Sequence, residues 1–446
     1  MIPARPVRDR LHGLTLVFTL LTVVLLTAPP CSASPLDLEA SYKGYVQESI
    51  GGRTAQIDEL VFHRQLINLE VEAHGSDWIM LRFAIDVLRD DPDFLAEDRI
   101  ESRLREAYAR LRFDKFDLRV GRMQIAWGEA DGTIVSDQIS PFDLTHFIVP
   151  KFDEIRLGVD GATVDYYFDN GDDVQLIWLG RFQEPNFPEL NSPWSFIDPS
   201  MIPAGFSLGQ TDRPANAMDN SEFGLRYSGH PLVADWSVGY FRSWDDRPAL
   251  RVDPSTLSVT PTHQRFDLFT FNVVHPHGPV LLRFDAAYEN GRLLSTDPTR
   301  SSALPTAPRG FLSREDVVRT LVAVDTKPDL WWWEQADASL QFVNEQVVHP
   351  HPALAVSKQT RYLGVRLSAA YLNETVKPWI FSMVNLDGAD AWLQAKIDYE
   401  PWDNWRFSFE YDAFFGHRFD LSNRSGGVFG GFDDNDMLLA SVRRSF

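Results

Sequence analysis

Apolar and polar side chains alternate along much of this 446-residue chain. In the segment WRFSFEYDAFF, from Trp405 to Phe415, every second residue is aromatic or alanine, and four of the five residues between them are polar or charged. Successive side chains on a β-strand point to opposite faces. The segment therefore predicts a strand with one apolar face, and the same two-residue period recurs through the chain without a sustained helical period.

The alternating segments divide the chain into eighteen predicted strands. They lie near residues 41–50, 62–74, 77–90, 99–113, 116–127, 157–169, 173–183, 221–229, 233–244, 264–275, 280–290, 315–326, 332–347, 359–372, 377–385, 390–400, 405–415 and 434–446. Connections after even-numbered strands are short, whereas those after odd-numbered strands are mostly long. An even strand number with this asymmetry is typical of outer-membrane barrels. We therefore predict an all-β fold, a transmembrane antiparallel up-and-down β-barrel of about 18 strands.

Aromatic residues mark two further features of the predicted barrel. Tryptophans are concentrated beside the predicted short turns, at Trp78, Trp236, Trp331, Trp332, Trp333, Trp379, Trp402 and Trp405. Aromatic rings favour the headgroup level of a membrane, so these residues predict a periplasmic aromatic girdle. The last predicted strand ends at Phe446, the final residue of the sequence. This terminal aromatic resembles the assembly signal of outer-membrane barrels, which predicts the barrel-assembly machinery as a partner.

The amino terminus has the features of a secretory signal. Three arginines precede the apolar run from Leu14 to Ala28, and Cys31-Ser32-Ala33 has the small-x-Ala pattern of a cleavage site. We predict a signal peptide at residues 1–33 and a barrel at residues 34–446. Cleavage would remove three arginines, one aspartate and the single cysteine, taking the net charge from −21 to −23. A chain this acidic is not expected to bind nucleic acid, and one without cysteine has no disulfide framework.

A motif follows the fifth predicted strand. The segment VGRMQIAWGEADGTIVSDQISPFDL, from Val120 to Leu144, resembles a motif of porin-like outer-membrane proteins related to the alginate-export family. The residues that fit are Gly121, Arg122, Trp127, Gly128, Asp131, Gly132, Pro141 and Asp143, while Ser140 stands where that family often has Asn. The resemblance implies a porin-like channel or an export outlet. The loop from Gly128 to Arg156 would then either fold into the lumen as a constriction or form an extracellular cap.

Charged residues at predicted inward positions are the candidates for functional side chains, because rings of charge in a water-filled lumen set selectivity. These pore-lining candidates are Arg112, Arg119, Arg181, Arg226, Arg283, Arg366, Arg406, Asp117, Asp285, Asp398 and Glu410. Both signs occur on the same strands. The pattern therefore does not favour anions or cations, and most of these residues are expected to be solvated or mutually paired.

The sequence favours no enzymatic activity. It contains no catalytic triad in register on the wall, no zinc spacing and no Gly-rich phosphate loop, so we predict no catalytic residues, metal or cofactor. Three hypotheses remain open: a channel for small polar or charged solutes, an alginate-like exopolysaccharide outlet, and a non-conducting structural or adhesive barrel. The expected partners are outer-membrane lipid, lipopolysaccharide and small solutes. A homo-oligomer is also compatible with the pattern.

Overall fold

The computed structural model describes residues 39–56, 59–90, 99–128, 130, 132–150, 152–190, 192–197, 202, 204–302, 309–329, 333–420 and 426–446. The predicted signal peptide lies outside these residues. In the described part of the chain, no helix is long and apolar enough to cross a membrane.

Eighteen antiparallel strands form one sheet. In chain order they are β1 Glu39–Arg53, β2 Leu60–Ser76, β3 Ile79–Asp90, β4 Arg99–Arg112, β5 Phe116–Met123, β6 Val159–Tyr167, β7 Asp173–Leu179, β8 Glu222–Gly229, β9 Asp235–Trp244, β10 Arg265–His277, β11 Val280–Ser295, β12 Leu312–Thr326, β13 Asp337–Val348, β14 Gln359–Ser368, β15 Val376–Asn385, β16 Asp390–Tyr399, β17 Trp405–Phe415 and β18 Met437–Ser445.

Each strand pairs with its neighbours in the sequence, and the sheet closes where β1 pairs with β18, with Tyr45 opposite Ser445. Full closure leaves no sheet edge, which is what an all-strand membrane protein requires. The backbone of Phe446 extends the closing pair, because its N–H donates to the carbonyl of Gly44 at 2.9 Å and its carbonyl accepts from the N–H of Gly44 at 3.1 Å. The predicted eighteen-stranded barrel is confirmed.

The barrel has an apolar outer face and a mixed inner face. Phe223, Val322 and Phe409 stand on the outer face with exposed fractions of 52%, 51% and 62%. On β17, Phe409 lies between Ser408 and Glu410, which point inward and are buried. Residues at every second strand position therefore form an exposed, largely apolar outer face, as the sequence period predicts.

The two rims differ in their connections. Most even-numbered strands are joined to their successors by short turns, whereas ten residues, 327–336, separate β12 from β13; we call this end the short-turn rim. The opposite end, the long-loop rim, carries three more short strands, Ser207–Leu208, Ala249–Asp253 and Ser258–Thr262, paired in a second sheet. The described helical turns are Phe152–Ile155, Met218–Asn220, Pro298–Ser302, Arg309–Phe311 and Phe429–Asn435.

Candidate solute path

The connection between β5 and β6, residues 124–158, leaves the wall and enters the lumen; we call it the inserted loop. Gly121 has φ 132°, which L side chains rarely adopt, and a Cβ at this position would lie 2.2 Å from the Ala107 carbonyl oxygen. Two residues later β5 ends at Met123, which is fully buried, and Trp127 is 3% exposed. The predicted extension of this strand to residue 127 is therefore wrong, because the chain turns inward after the glycine.

Trp127 fixes the start of the inserted loop to one side of the barrel. Its indole N–H donates to Oε1 of Gln175 on β7 at 2.8 Å. The guanidinium of Arg226 on β8 lies 5.5 Å from the centroid of its ring, and the ring of Phe241 on β9 lies at 6.2 Å. A cation over an indole face is an attractive arrangement, and it is stronger where water is excluded.

The carboxylate of Glu289 on β11 holds the next part of the inserted loop. Gln138 donates to it from Nε2 at 2.8 Å. Arg319 on β12 donates from Nε at 2.7 Å, and Arg292 donates from Nη1 at 2.9 Å. The side chain of Glu289 is fully buried, and a buried charge is tolerated only when it is paired and hydrogen-bonded. This part of the loop is therefore attached to a charged cluster on the wall.

The far end of the inserted loop is attached to strands near the start of the chain. Arg103 on β4 lies 2.5 Å from Oδ2 of Asp143, and Arg64 on β2 lies 3.0 Å from Nδ1 of His146. Burial raises the pKa of Asp143, but Arg103, Arg64 and hydrogen bonds from Thr145 outweigh it and hold the pKa below its ordinary value. Burial and the charge of Arg64 lower the pKa of His146 to about 4.

Attachment to both sides means that the inserted loop spans the lumen. These partners are inward side chains of the wall, so the described part of the loop lies inside the barrel. Gly132, with φ 66°, lies against the ring of Phe381 on β15, where a Cβ would come within 2.7 Å of the ring. A Cβ on Gly128 would lie 2.7 Å from that of Asp137, and the carbonyl of Pro141 accepts from the N–H of Leu157 at 2.8 Å. Asp131 lies outside the described residues.

A cavity of about 490 Å³ lies between the inserted loop and the short-turn rim; we call it the vestibule. The loop contributes Ile148, Val149, Pro150 and Phe152 to its lining. The wall contributes three aromatic rings, Trp379, Phe381 and Trp392, and a set of polar side chains, Arg366, Lys377, Gln394, Lys396, Asp398 and Glu410. A smaller cavity of about 70 Å³ shares Lys396 and Glu410 with the vestibule and reaches Arg64 and Arg103.

Ten of the eleven predicted pore-lining residues lie at inward positions of the strands. Most of them have a polar partner on the wall. These contacts are Arg112 to Asp117 at 3.7 Å, Arg119 to Asp165 at 3.3 Å, Arg283 to Asp325 at 2.6 Å, Arg366 to Asp337 at 3.0 Å, Arg406 to Glu400 at 2.5 Å, Asn272 to Asp285 at 2.8 Å, Ser408 to Asp398 at 2.5 Å and Gln394 to Glu410 at 2.8 Å. The wall is therefore polar but largely self-neutralised.

Arg181 does not line the pore, so that prediction is wrong. Strand β7 ends at Leu179 instead of the predicted residue 183, and the N–H of Gly180 donates to the carbonyl of Asp160. The alternation that placed Arg181 inward therefore stops before it. Its side chain is 48% exposed and pairs with Asp160, which also binds Arg122 at 2.7 Å.

Trp379 is a second correction, because it faces the lumen and does not belong to the predicted girdle. Its ring stacks on that of Phe381 at 5.9 Å and 11°. Trp331 and Trp332 lie outside the described residues. The predicted pore-lining residues did not include Arg64, Glu289 or Trp392, which face the lumen. The sequence did contain a signal for them. Each lies in a predicted strand, and the residues on either side of it point outward.

The described residues contain no group of three or more His, Cys, Asp or Glu side chains that could hold a metal ion. The described residues form a polar wall, an inserted loop and a cavity between that loop and the short-turn rim.

Comparisons with known proteins agree with this fold. The family model described as "Protein of unknown function (DUF1302)" matches residues 86–446. No protein with a curated description matches the sequence.

Solved structures share the architecture at low identity. The crystal structure of Acinetobacter baumannii OccAB3 is similar with a TM-score of 0.51 and 9% identity, over 92% of this chain and 99% of that chain. Pseudomonas aeruginosa OccD3 (OpdP) has a TM-score of 0.50 and 10% identity, over 91% of each chain. Pseudomonas aeruginosa OpdK, solved with vanillate, has a TM-score of 0.50 and 10% identity, over 92% of this chain and 98% of that chain. These likenesses concern the fold, whereas the family match covers most of the sequence, and the chain therefore belongs to the DUF1302 family.

Proposed function

We propose that the protein is a passive channel of the Gram-negative outer membrane for small polar or charged solutes. The observation that carries this proposal is the inserted loop, which is anchored to both sides of the lumen above a vestibule. A barrel that served only as a surface scaffold would not need a polar cavity beneath a constriction. The loop would set the limiting width, and side chains around it would replace part of a solute's hydration.

In this proposal the short-turn rim faces the periplasm and the long-loop rim faces the outside. Export depends on the predicted signal peptide at residues 1–33. An outlet for a polyanion would need a continuous basic track. In the vestibule, Lys377 binds Glu400 at 2.6 Å and Arg366 binds Asp337 at 3.0 Å, so the described cations there are matched by carboxylates. We therefore favour the channel over the exopolysaccharide outlet.

Single-channel recording of the refolded full chain in a planar bilayer tests the proposal, with the reversal potential measured in a salt gradient. We expect discrete open steps whose conductance increases when residues 132–150 are replaced by a short Gly-Ser linker. The linker variant is matched to a control in which the exposed segment 254–257 at the long-loop rim is replaced in the same way. Folded, inserted protein that is silent in both forms would contradict the channel and leave a structural barrel.

A further inference from the structure

A chain of aromatic rings descends from the long-loop rim into the lumen. It begins at Phe187, which is 36% exposed and whose ring centroid lies 6.3 Å from that of Phe196. Phe196 lies 5.8 Å from Phe432, and Phe432 lies 6.0 Å from Phe414, the penultimate residue of β17. Two long connections and one strand thus bring these four rings together.

The chain of rings continues down the wall to the vestibule. Phe414 and Trp392 on β16 are nearly parallel, with centroids 6.5 Å apart and an angle of 8°. Trp392 lies 5.2 Å from Phe381 on β15, and Phe381 lies 5.9 Å from Trp379. The last three rings line the vestibule. We call the seven rings, from Phe187 to Trp379, the aromatic track.

We propose that the vestibule end of the aromatic track, formed by Trp379, Phe381 and Trp392, is a binding surface for ring-containing solutes, aromatic or alicyclic, that carry one polar end. This inference rests on the proposed channel and names its substrate class. Ring pairs at 4.5–7 Å attract each other beyond the area that they bury. A solute ring in the vestibule can contact the three rings of its lining, whereas Phe414 and Phe432, each 2% exposed, pack the wall above them. A solute without a ring gains no such contact.

The vestibule suits the same class of solute. Its volume falls within the roughly 300–1,000 Å³ that small-molecule pockets occupy. Lys396 stands among its polar side chains, 3.5 Å from Asp398 and 3.7 Å from Glu410, so its ammonium group makes two loose ion pairs. It is the vestibule cation best placed to bind the polar end of a solute whose ring lies on Trp379 or Trp392.

A sugar fits this site less well, although sugars also stack on aromatic rings. Each sugar ring presents several hydroxyl groups that need hydrogen-bond partners. Gln394 already donates to both Glu410, at 2.8 Å, and Asp412, at 3.0 Å, and the indole N–H of Trp392 also donates to Asp412. The hydroxyl groups of a sugar would compete with these bonds, and a buried polar group that loses its partner is costly. The geometry therefore favours solutes with few polar groups.

The test combines two measurements on the full chain. Current blockade in planar bilayers and titration calorimetry in detergent micelles use phenol and cyclohexanol as ring probes, glucose as the sugar probe and glycerol as the ring-free probe. Trp379→Ala removes the half-buried end of the track. Trp178→Ala, on the outer face of β7, is the matched control. Heat-modifiable electrophoretic mobility shows that each variant is folded.

We expect both ring probes to bind and to block the current, and glycerol to do neither. Trp379→Ala should weaken ring binding at least tenfold, and Trp178→Ala should leave it unchanged. Equal binding of glucose would overturn the substrate class, and ring binding that Trp379→Ala leaves intact would overturn the track. A conducting channel without ring binding would refute this inference alone. Ring binding to a silent barrel would refute the channel and leave the site in place.

Discussion

Gln138 donates a hydrogen bond to Glu289 at 2.8 Å, although 151 residues separate the two in sequence. The bond joins the inserted loop to the buried charged cluster of β11 and β12. Substituting Gln138 therefore removes one attachment of the inserted loop and leaves the wall intact, because Glu289 keeps its arginine partners.

Gln138→Ala should loosen the inserted loop at a modest cost in stability, about 1.5–3 kcal/mol for a hydrogen bond to a charged group. We expect more frequent current fluctuations in the open channel, measured in single-channel recordings. Gln346→Ala, an exposed outward residue of β13, is the control and should leave the current trace unchanged. Identical noise in the wild type and Gln138→Ala would show that this bond does not hold the loop.

Removing the carboxylate of Asp143 should be much more costly. Asp143 is 3% exposed, and the Arg103 guanidinium beside it would become a poorly compensated buried charge. Breaking a buried pair by removing one partner costs about 3–5 kcal/mol. Urea unfolding in lipid vesicles measures the change for Asp143→Ala. Asp169→Ala removes a carboxylate that is 88% exposed beside Lys115, where a surface pair contributes about 0–1 kcal/mol. Equal losses in the two variants would contradict the buried-pair account.

His146 should make the barrel less stable as the pH falls from about 6.5 to 4. Burial and Arg64 lower its pKa from 6.5 to about 4 in the folded protein. Between these values the unfolded chain binds a proton that the folded protein excludes, so the free energy of unfolding falls with pH by up to about 3 kcal/mol. Above about pH 6.5 this contribution is fully present.

The measurement is the urea midpoint at several pH values for the wild type and His146→Gln. Glutamine keeps an acceptor for Arg64 and does not titrate. The difference between the two proteins should therefore change across pH 4 to 6.5 and be constant above it. A difference that stays constant across the whole range would exclude His146 as the titrating group.

Lys396→Gln should shift the channel toward cations. The substitution removes a positive charge between Asp398 and Glu410 and leaves both carboxylates in the vestibule lining. The reversal potential in a salt gradient should move in the cation-selective direction. Lys358→Gln changes an exposed lysine at the long-loop rim and should shift it much less. Equal shifts would mean that net charge, and not the vestibule, sets selectivity.

Phe446→Ala should slow assembly of the barrel. The backbone of Phe446 extends the pairing that closes β18 onto β1, and its ring lies close to Gly44. We expect a smaller folded fraction at early times, read from heat-modifiable mobility after dilution into lipid vesicles. Phe409→Ala, which removes a lipid-facing ring from β17, is the comparison. A similar delay in both variants would argue for lost apolar area in general and against an assembly signal.

Much of the wall was predictable because strand alternation is a local property. The period of two is set by the backbone, so the sequence alone predicted eighteen strands, the two kinds of connection and the inward positions of residues such as Arg283 and Asp285. It failed at strand ends. The turn at Gly121 and the end of β7 at Leu179 depend on contacts with other parts of the chain, and Arg181 was misplaced for that reason.

The sequence by itself determined a closed barrel with an apolar outside and a charged inside. Only the tertiary structure decided where the inserted loop lies and which rings form the aromatic track. The bond from Gln138 to Glu289 and the stacking of Phe414 on Trp392 join groups from different elements, and no periodicity within one element specifies them. Such contacts exist only after the sheet has closed and brought its inner face together with the loops, because closure fixes which residues meet across the lumen.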